Sequence, residues 1–376
     1  MKIKVNSTAL KNAVKDVQKA LDKRPLIPLF KCIVIDAEGD DMLLKAADND
    51  LSVIRKVKDA KIEEKGLAAV VYENGLSAAL NLPDGEITIT ADGKQLTITY
   101  PNGTFFLPTE GIEDMDVFGM KNMEEQERIM LPTTLLRVAI GQSLPALSAE
   151  ALHPIVCNLC LDLSETSLTL AATDGKKLIC NRIKGNFGKP RQILLPSKAA
   201  SLLTTLSKET ETIQMQADYH RMAITDCNTF TLYISLPEGH YPNYNSVISP
   251  IRGNTHLKAD ADRKQLTDAL GRLSAFTNQS NLFRLTFTYN QIDVKAEDKD
   301  FNKLSEETIA CSTMGDAERI EMGINGKYLR EMLGVLDTDN VSILLQDASR
   351  AMLIEPIVPE YAGEMETEVV VMPMHF

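Results

Sequence analysis

Three aspartates, Asp48, Asp174 and Asp298, recur 126 and 124 residues apart, and each follows a run of strand-forming residues. A carboxylate held at a fixed place in a fold can act as a nucleophile, a general base or a metal ligand. No partner nucleophile or base accompanies these three. Aspartate is also common in turns, because its side chain accepts hydrogen bonds from its own backbone. The spacing therefore favours three equivalent turns in a repeated domain, and a hydrolase that uses one of these carboxylates stays open as an alternative.

The other residues with chemical potential are not arranged for catalysis. The run 174–177 (Asp-Gly-Lys-Lys) could hold a phosphate, but between two strand patterns it is more simply a hairpin turn. Cys157 and Cys160 lie in a run that predicts a strand, where their side chains would point to opposite faces. The five histidines are scattered, and no nucleotide-loop, H-E-x-x-H or G-x-S-x-G motif is present. We therefore predict a protein that is not an enzyme, with no catalytic residue, no metal and no cofactor.

Composition predicts an ordinary globular protein. The chain has 376 residues, of which 44% are hydrophobic and 24% charged. It contains no stretch of 18 apolar residues, and its start, Met1–Val5, alternates like a strand rather than a signal peptide. We expect a soluble, cytoplasmic protein without a membrane partner. The net charge of −12 argues, taken alone, against nucleic acid binding.

A repeat of about 125 residues organises the chain. An amphipathic helix precedes each repeated aspartate, at 8–23, 133–143 and 261–273. Each repeat divides into two half-repeats of one helix plus strands, and the second half-repeats turn at Asp92, Asp218 and Asp347. The predicted fold class is α+β, with two short helices per repeat packed on antiparallel sheet. The predicted domains are 1–125, 126–250 and 251–376.

Basic residues concentrate on the predicted helices. Lys11, Lys15, Lys19 and Lys23 follow i, i+4 spacing, so they share one helix face, and Arg24 comes next. A solvated face explains such a stripe as well as a binding surface does. Other helices carry or adjoin further cations: Arg137, Lys198, Arg263 and Lys264. If the repeats aim these helices at one surface, that surface could hold a polyanion through phosphate contacts alone.

The carboxyl terminus is unusually apolar for a chain end. Val369–Val371 are predicted to form a last edge strand. Met372, Pro373, Met374 and Phe376 extend past it, and flexible thioethers beside proline suit an adaptable peptide pocket.

The whole chain resembles the bacterial sliding clamp family, the beta subunits of DNA polymerase III. The resemblance rests on four segments and on the threefold repeat. The segments are Arg24-Pro25 with Pro28-Leu29, Ala172-Thr173-Asp174-Gly175, Gly239-His240-Tyr241-Pro242-Asn243-Tyr244, and Val370-Val371-Met372-Pro373-Met374.

This resemblance implies three similar domains in a crescent and a ring made of two crescents, head to tail. It implies that helices line the hole, that duplex DNA passes through it without sequence readout, and that the ring is a homodimer. The replicative polymerase, the clamp loader, other polymerases and repair factors would bind by a short linear motif. A protein scaffold of the same fold that does not encircle DNA stays open as an alternative.

The resemblance also assigns residues by position. Arg24 and Lys198 match DNA-contacting positions, and Phe105, Leu107 and Phe276 fall where the dimer seam packs. A partner-peptide pocket between the second and third domains would use Val156, Thr173, Gly175, Lys176, Lys177, Leu178, Pro242, Ser246, Val247, Tyr328, Val370, Met372, Pro373 and Met374. The chain departs from the common pattern at Lys176-Lys177, at Ser246 and at His375-Phe376, which bears on the motifs it prefers.

Overall fold

A computed structural model describes residues 1–22, 25, 27–112, 118, 127–150, 153–357 and 363–375. The strands are β1 (Lys2–Asn6), β2 (Cys32–Asp36), β3 (Leu43–Ala47), β4 (Leu51–Lys56), β5 (Lys61–Glu64), β6 (Leu67–Val71), β7 (Glu86–Ala91), β8 (Gln95–Tyr100), β9 (Gly103–Pro108), β10 (Ile129–Pro132), β11 (Asn158–Leu163), β12 (Ser167–Thr173), β13 (Lys177–Lys184), β14 (Arg191–Pro196), β15 (Thr212–Ala217), β16 (Arg221–Thr225), β17 (Phe230–Ser235), β18 (Leu257–Asp262), β19 (Leu282–Thr288), β20 (Gln291–Asp298), β21 (Lys303–Gly315), β22 (Ile320–Asn325), β23 (Asn340–Leu345), β24 (Met352–Ile357), β25 (Met365–Val371) and β26 (Pro373–Met374).

The α-helices are α1 (Ser7–Val17), α2 (Thr133–Ser143), α3 (Ser197–Leu206), α4 (Asn245–Gly253), α5 (Arg263–Leu273) and α6 (Gly326–Gly334). Short 3₁₀ helices span Gln18–Ala20, Pro28–Lys31, Leu76–Asn81, Leu144–Ala146, Pro154–Cys157 and Ser274–Phe276.

The described residues cluster into two compact units. The first holds residues 1–134 and 198–238 and contains a five-stranded sheet, β5-β1-β7-β8-β9, and an eight-stranded sheet, β10-β15-β16-β17-β4-β3-β2-β6. The second holds residues 135–197 and 239–376 and contains a 13-stranded sheet, β14-β11-β12-β13-β25-β24-β23-β18-β21-β20-β19-β22-β26. The division into three domains of about 125 residues stays a prediction.

Alternating sequence produces sheets with one buried face. In β19 every second residue is buried, and in α1 the buried residues Leu10, Ala13, Val14 and Val17 lie on one helix face. Asn6 caps α1, since its side chain accepts a hydrogen bond from the Thr8 N–H at 2.8 Å. Helices packed on antiparallel sheets confirm the predicted α+β class.

The repeated aspartates form turns, as their spacing predicts. The Asp48 carboxylate accepts hydrogen bonds from the N–H groups of Asp50 and Leu51, both at 2.8 Å. Asp174 accepts from Lys176 and Lys177, both at 2.9 Å. Asp298 accepts from the N–H of Asp300 at 3.2 Å. All three carboxylates are thus engaged with their own backbone.

Several local predictions were wrong. The first helix ends at Val17 rather than residue 23. Cys157 lies on the 3₁₀ helix Pro154–Cys157, and only Cys160 lies on a strand, because Pro154 starts a helical turn there. The strand that contains Val369–Val371 is not an edge strand, because β13 and β24 pair with both of its sides.

Candidate partner-binding pocket

The second unit contains an open cavity of about 620 Å³. Three structural pieces form its walls: the β12–β13 turn, the start of α4 with the segment before it, and the 3₁₀ helix Pro154–Cys157. Its lining residues are His153, Pro154, Ile155, Val156, Thr173, Asp174, Gly175, Lys177, Leu178, His240, Pro242, Asn243, Tyr244, Val247, Val370 and Met372. A mostly apolar cavity with a few polar groups at its rim is the usual form of a ligand or peptide site.

Local hydrogen bonds fix the β12–β13 turn. The Thr173 hydroxyl donates to the Lys177 carbonyl at 2.7 Å and accepts from the Gly175 N–H at 3.0 Å. Gly175 has a φ of +81°, which favours glycine. The Met372 N–H donates to the Lys176 carbonyl at 2.9 Å and thereby attaches the carboxyl-terminal tail to the turn.

The α4 wall is anchored by aromatic and aliphatic residues. Tyr244, Ile248 and Ile251 are buried in the same core cluster as Leu178 and Val370. The Tyr244 hydroxyl donates to the Asp162 carboxylate at 2.8 Å. Burial and this carboxylate raise the pKa of Tyr244, so the hydroxyl stays protonated as a donor. Val247 points outward and is 36% exposed, which makes it available to a ligand.

The third wall depends on a glycine. Ile155 and Val156 pack half-buried against the core cluster. A Cβ at Gly239 would lie 2.2 Å from Cδ1 of Ile155, and the φ of Gly239 is +146°. Any side chain at this position would therefore displace Ile155 from the pocket wall.

The pocket gathers nine of the fourteen residues that the sequence assigned to it: Val156, Thr173, Gly175, Lys177, Leu178, Pro242, Val247, Val370 and Met372. It does not include Lys176, Ser246, Tyr328, Pro373 or Met374 in its lining.

These five residues make other contacts. The Lys176 ammonium lies 6.0 Å from the centroid of the Tyr328 ring. The Ser246 hydroxyl donates to the Asn243 carbonyl at 2.6 Å. Pro373 and Met374 form β26, which pairs with β22.

The charge of Lys177 is engaged by groups outside the pocket lining. Its stem lines the pocket, but the side chain is only 6% exposed and its ammonium forms an ion pair with Glu331 of α6. The same ammonium donates to the Pro145 carbonyl at 2.5 Å and lies 5.5 Å from the centroid of the Tyr328 ring. The Lys177 charge is therefore directed away from the cavity.

Sequence reasoning missed seven lining residues: His153, Pro154, Ile155, Asp174, His240, Asn243 and Tyr244. Four of them stand inside segments that carried the resemblance, so their position in the sequence was a usable signal. His153, Pro154 and Ile155 reach the pocket through the 3₁₀ helix, which the sequence did not reveal.

Of the basic residues predicted to contact DNA, some are paired within their own unit, some are exposed or half-buried, and some lie outside the described residues. Some are held by their own unit: Lys11 pairs with Asp84 at 2.8 Å, Lys198 pairs with Asp48 and donates to the Ala20 carbonyl, and Arg263 donates to the carbonyls of Thr338 and Leu333. Lys15 and Lys264 are exposed, and Arg137 is half-buried.

Lys19 is exposed and donates to the Thr205 hydroxyl at 2.9 Å, from the 3₁₀ helix rather than from α1. Because α1 ends at Val17, the predicted continuous lysine stripe is interrupted. Lys23, Arg24 and Phe376 lie outside the described residues.

The residues predicted for the dimer seam lie at surfaces. Phe105 and Leu107 are half-buried on β9, which is the last strand of the five-stranded sheet. Between them, Phe106 is 64% exposed, and Phe276 is 36% exposed. In the second unit, residues 303–310 of β21 pair with β20 on one side, and no described strand pairs with their other side. Leu304 in this stretch is 57% exposed.

Over the described ranges, no group of three or more His, Cys, Asp or Glu side chains is placed to hold a metal ion. The helices in those ranges are also too short or too polar to cross a membrane.

Solved structures share this fold over the entire chain. The beta subunit from Thermotoga maritima matches with a TM-score of 0.90 at 18% identity, covering 100% of this chain and 99% of that one. A sliding clamp from Pseudomonas aeruginosa bound to griselimycin matches with a TM-score of 0.89 at 22% identity, covering 100% of both chains. The fold of this chain is therefore the fold of these clamp subunits.

Sequence comparison identifies the family. Residues 1–118 match the model of the DNA polymerase III beta subunit N-terminal domain, and residues 250–375 match that of the C-terminal domain. The beta sliding clamp of Pseudomonas putida is 24% identical over 100% of both chains. The chain belongs to the family of DNA polymerase III beta subunits, the beta sliding clamps. It is a non-catalytic processivity factor for DNA replication.

Proposed function

We propose that the pocket around Leu178, Val247 and Val370 binds a short linear motif of the replicative polymerase and of other replication and repair proteins. The observation that carries this proposal is the open apolar cavity of about 620 Å³, whose walls are fixed by the tail, the β12–β13 turn and α4. A cavity of this size accepts a few side chains of an extended peptide rather than a folded domain.

The chemistry of the lining predicts the chemistry of the motif. Val156, Leu178, Val247 and Val370 offer aliphatic contacts, and Met372 is flexible and 40% exposed. A peptide would bind mainly by aliphatic or aromatic anchors. Asp174, His153 and His240 at the rim would orient its polar groups. Since Lys177 is neutralised by Glu331, charge attraction from that residue contributes little.

We infer further that two copies close into a ring. The free edge of β9 and the free edge of β21 each carry an exposed apolar residue, Phe106 and Leu304. Unpaired strand edges with apolar side chains are natural sites for pairing with another chain. Joining β9 of one copy to β21 of the other, twice, gives a head-to-tail homodimer with closed symmetry.

The ring would encircle duplex DNA without reading its sequence. Lys15 and Lys264 are exposed on α1 and α5 and can make weak phosphate contacts. A net charge of −12 is compatible with this function if the remaining surface carries the acidic surplus. Encirclement makes each new association of a tethered polymerase effectively intramolecular, which raises its local concentration. Opening the ring would require a separate clamp loader, and the site of action would be the cytoplasm.

Truncation after Val371 tests the pocket. The shortened chain should no longer bind a labelled peptide with leucine and phenylalanine anchors, and it should no longer stimulate the polymerase. It should still form the dimer in solution. Griselimycin should compete with the same peptide on the full chain. Unchanged stimulation after truncation would refute the pocket assignment.

Encirclement needs its own experiment. After loading, the protein should remain on nicked circular DNA and leave linear DNA of the same length through its free ends. Equal loss from both would instead support a protein scaffold that does not encircle DNA.

A further inference from the structure

Helix α4 forms one pocket wall but is poorly supported by its own sequence. It has nine residues, contains Pro250 and lacks a side-chain hydrogen bond from its N-cap residue, Tyr244. Isolated helices of this length are unstable in water, so tertiary contacts must hold α4 in place. Its inner face supplies one such contact through Ile248 and Ile251.

Arg252, in the last turn of α4, supplies a further contact. Its guanidinium donates to the Glu355 carboxylate on β24, and its Nη2 lies 2.7 Å from Oε1 of Glu368 on β25. β25 also carries Val370 of the pocket and leads into Met372. Arg252 therefore joins the helix on one side of the pocket to the strand that forms its floor.

Glu368 depends on this arginine. It is 3% exposed, and its Oε1 has no hydrogen-bond partner of good geometry among the described residues. The other charged or titratable groups that face it are Arg182 and Cys180 on β13, Glu355 on β24 and Glu366 on β25 itself. Arg182 is 3.7 Å away, so Arg252 is the nearer cation. A buried carboxylate that loses its cation is strongly unfavourable.

We propose that Arg252 is a positioning residue for the partner pocket: by bridging Glu355 and Glu368 it sets where α4 places Val247 and Tyr244 relative to Val370. This inference rests on the proposed binding of a linear motif. It adds that the affinity for the motif depends on a charge cluster that does not contact the peptide.

The test measures fluorescence anisotropy of the labelled leucine–phenylalanine peptide with the full chain and its variants. R252Q should weaken peptide binding roughly tenfold, because the variant loses a residue that positions the pocket wall but does not itself contact the peptide. R252K should recover part of the affinity, because lysine keeps the charge but cannot bridge two carboxylates as a planar fork does. R319Q is the matched control, since it removes an exposed arginine that pairs with Glu321 outside the pocket lining.

A pH series separates positioning from simple stability. Burial raises the pKa of Glu368 above its ordinary 4.5, against the opposing effect of Arg252 and Arg182. Because this pKa is raised, protonation of Glu368 should favour the folded state as the pH falls from 7 towards 4.5. The same protonation removes the charge that attracts Arg252, so peptide affinity should fall over that range. E368Q should lack this component of the profile.

The outcomes are distinct. If the peptide does not bind the wild-type chain, the proposed function fails. If it binds the wild type and R252Q equally, or if R252Q and R319Q behave alike, the role of Arg252 is refuted. Should R252Q fail to fold, R252K and E368Q decide, and wild-type affinity with a wild-type pH profile in both would refute the proposal.

Discussion

The ammonium of Lys177, the first residue of β13, is paired with the carboxylate of Glu331 on α6. The Lys177 side chain is 6% exposed, and its other close acceptor is the Pro145 carbonyl. The pair connects the pocket turn to a helix that is distant in sequence. Removing Glu331 leaves a buried ammonium, whereas removing Lys177 leaves a carboxylate that is 38% exposed and reaches water.

Glu331→Gln should destabilise the second unit by about 1–3 kcal/mol, because it leaves a buried ammonium with only the Asp174 carboxylate, 3.9 Å away, as a counter-charge. The double variant K177M/E331M should recover part of this loss, since it removes both charges. Urea denaturation followed by circular dichroism would measure the unfolding midpoints. Equal midpoints for E331Q and the wild type would show that Lys177 is adequately solvated by other groups.

Val247→Asp should reduce peptide affinity by roughly a hundredfold, because a carboxylate would enter an apolar contact surface. Val247 is 36% exposed, so the free energy of unfolding should change by no more than about 0.5 kcal/mol. Ser249→Asp is the control, since Ser249 is exposed on the same helix but does not line the pocket. Similar peptide affinities for the two variants would contradict the proposed contact surface.

The sequence predicted those features of the site whose interacting residues are close together in the chain. The Asp174 turn was predictable, because an aspartate and the backbone N–H groups that follow it are adjacent in the chain. The roles of Lys177 and Lys11 were not, because their partners Glu331 and Asp84 lie far along the sequence.

The end of α1 illustrates the same limit. The lysine spacing continues to residue 23, but the helix ends at Val17 and a 3₁₀ turn follows. Lys198 donates to the carbonyls of Ala20 and Leu21, which satisfies backbone groups beyond the helix. The lysine spacing shows which face of the helix is polar, but it does not show where the helix ends. The backbone after the helix is held in part by a tertiary contact from Lys198.

The variants K15A and K264A should each weaken retention on circular DNA and reduce the slope of log affinity against log salt concentration by about one. The physical reason is that each removes one phosphate contact and one released counterion. Lys65→Ala is the control, because this exposed lysine pairs with Asp40 and lies outside the predicted helices. A salt slope that stays at the wild-type value in both variants would exclude these lysines from the DNA surface.

Phe106→Asp should prevent dimer formation, because it places a charge on the free edge of β9. Light scattering coupled to gel filtration should then give the chain mass of 41.5 kDa in place of twice that value. Tyr219→Asp changes a residue that is 86% exposed in a turn and should leave the mass of the wild type. A dimeric F106D protein would show that the seam lies elsewhere.

The internal position of β25 affects how bound peptides leave the pocket. Both edges of this strand are occupied by β13 and β24, so a bound peptide cannot join the sheet there and must be held by side chains. No strand has to unpair when one client is replaced by the next. Residence times are then set by how well each client fills the cavity, and a weaker client can be exchanged rapidly while the framework around it stays intact.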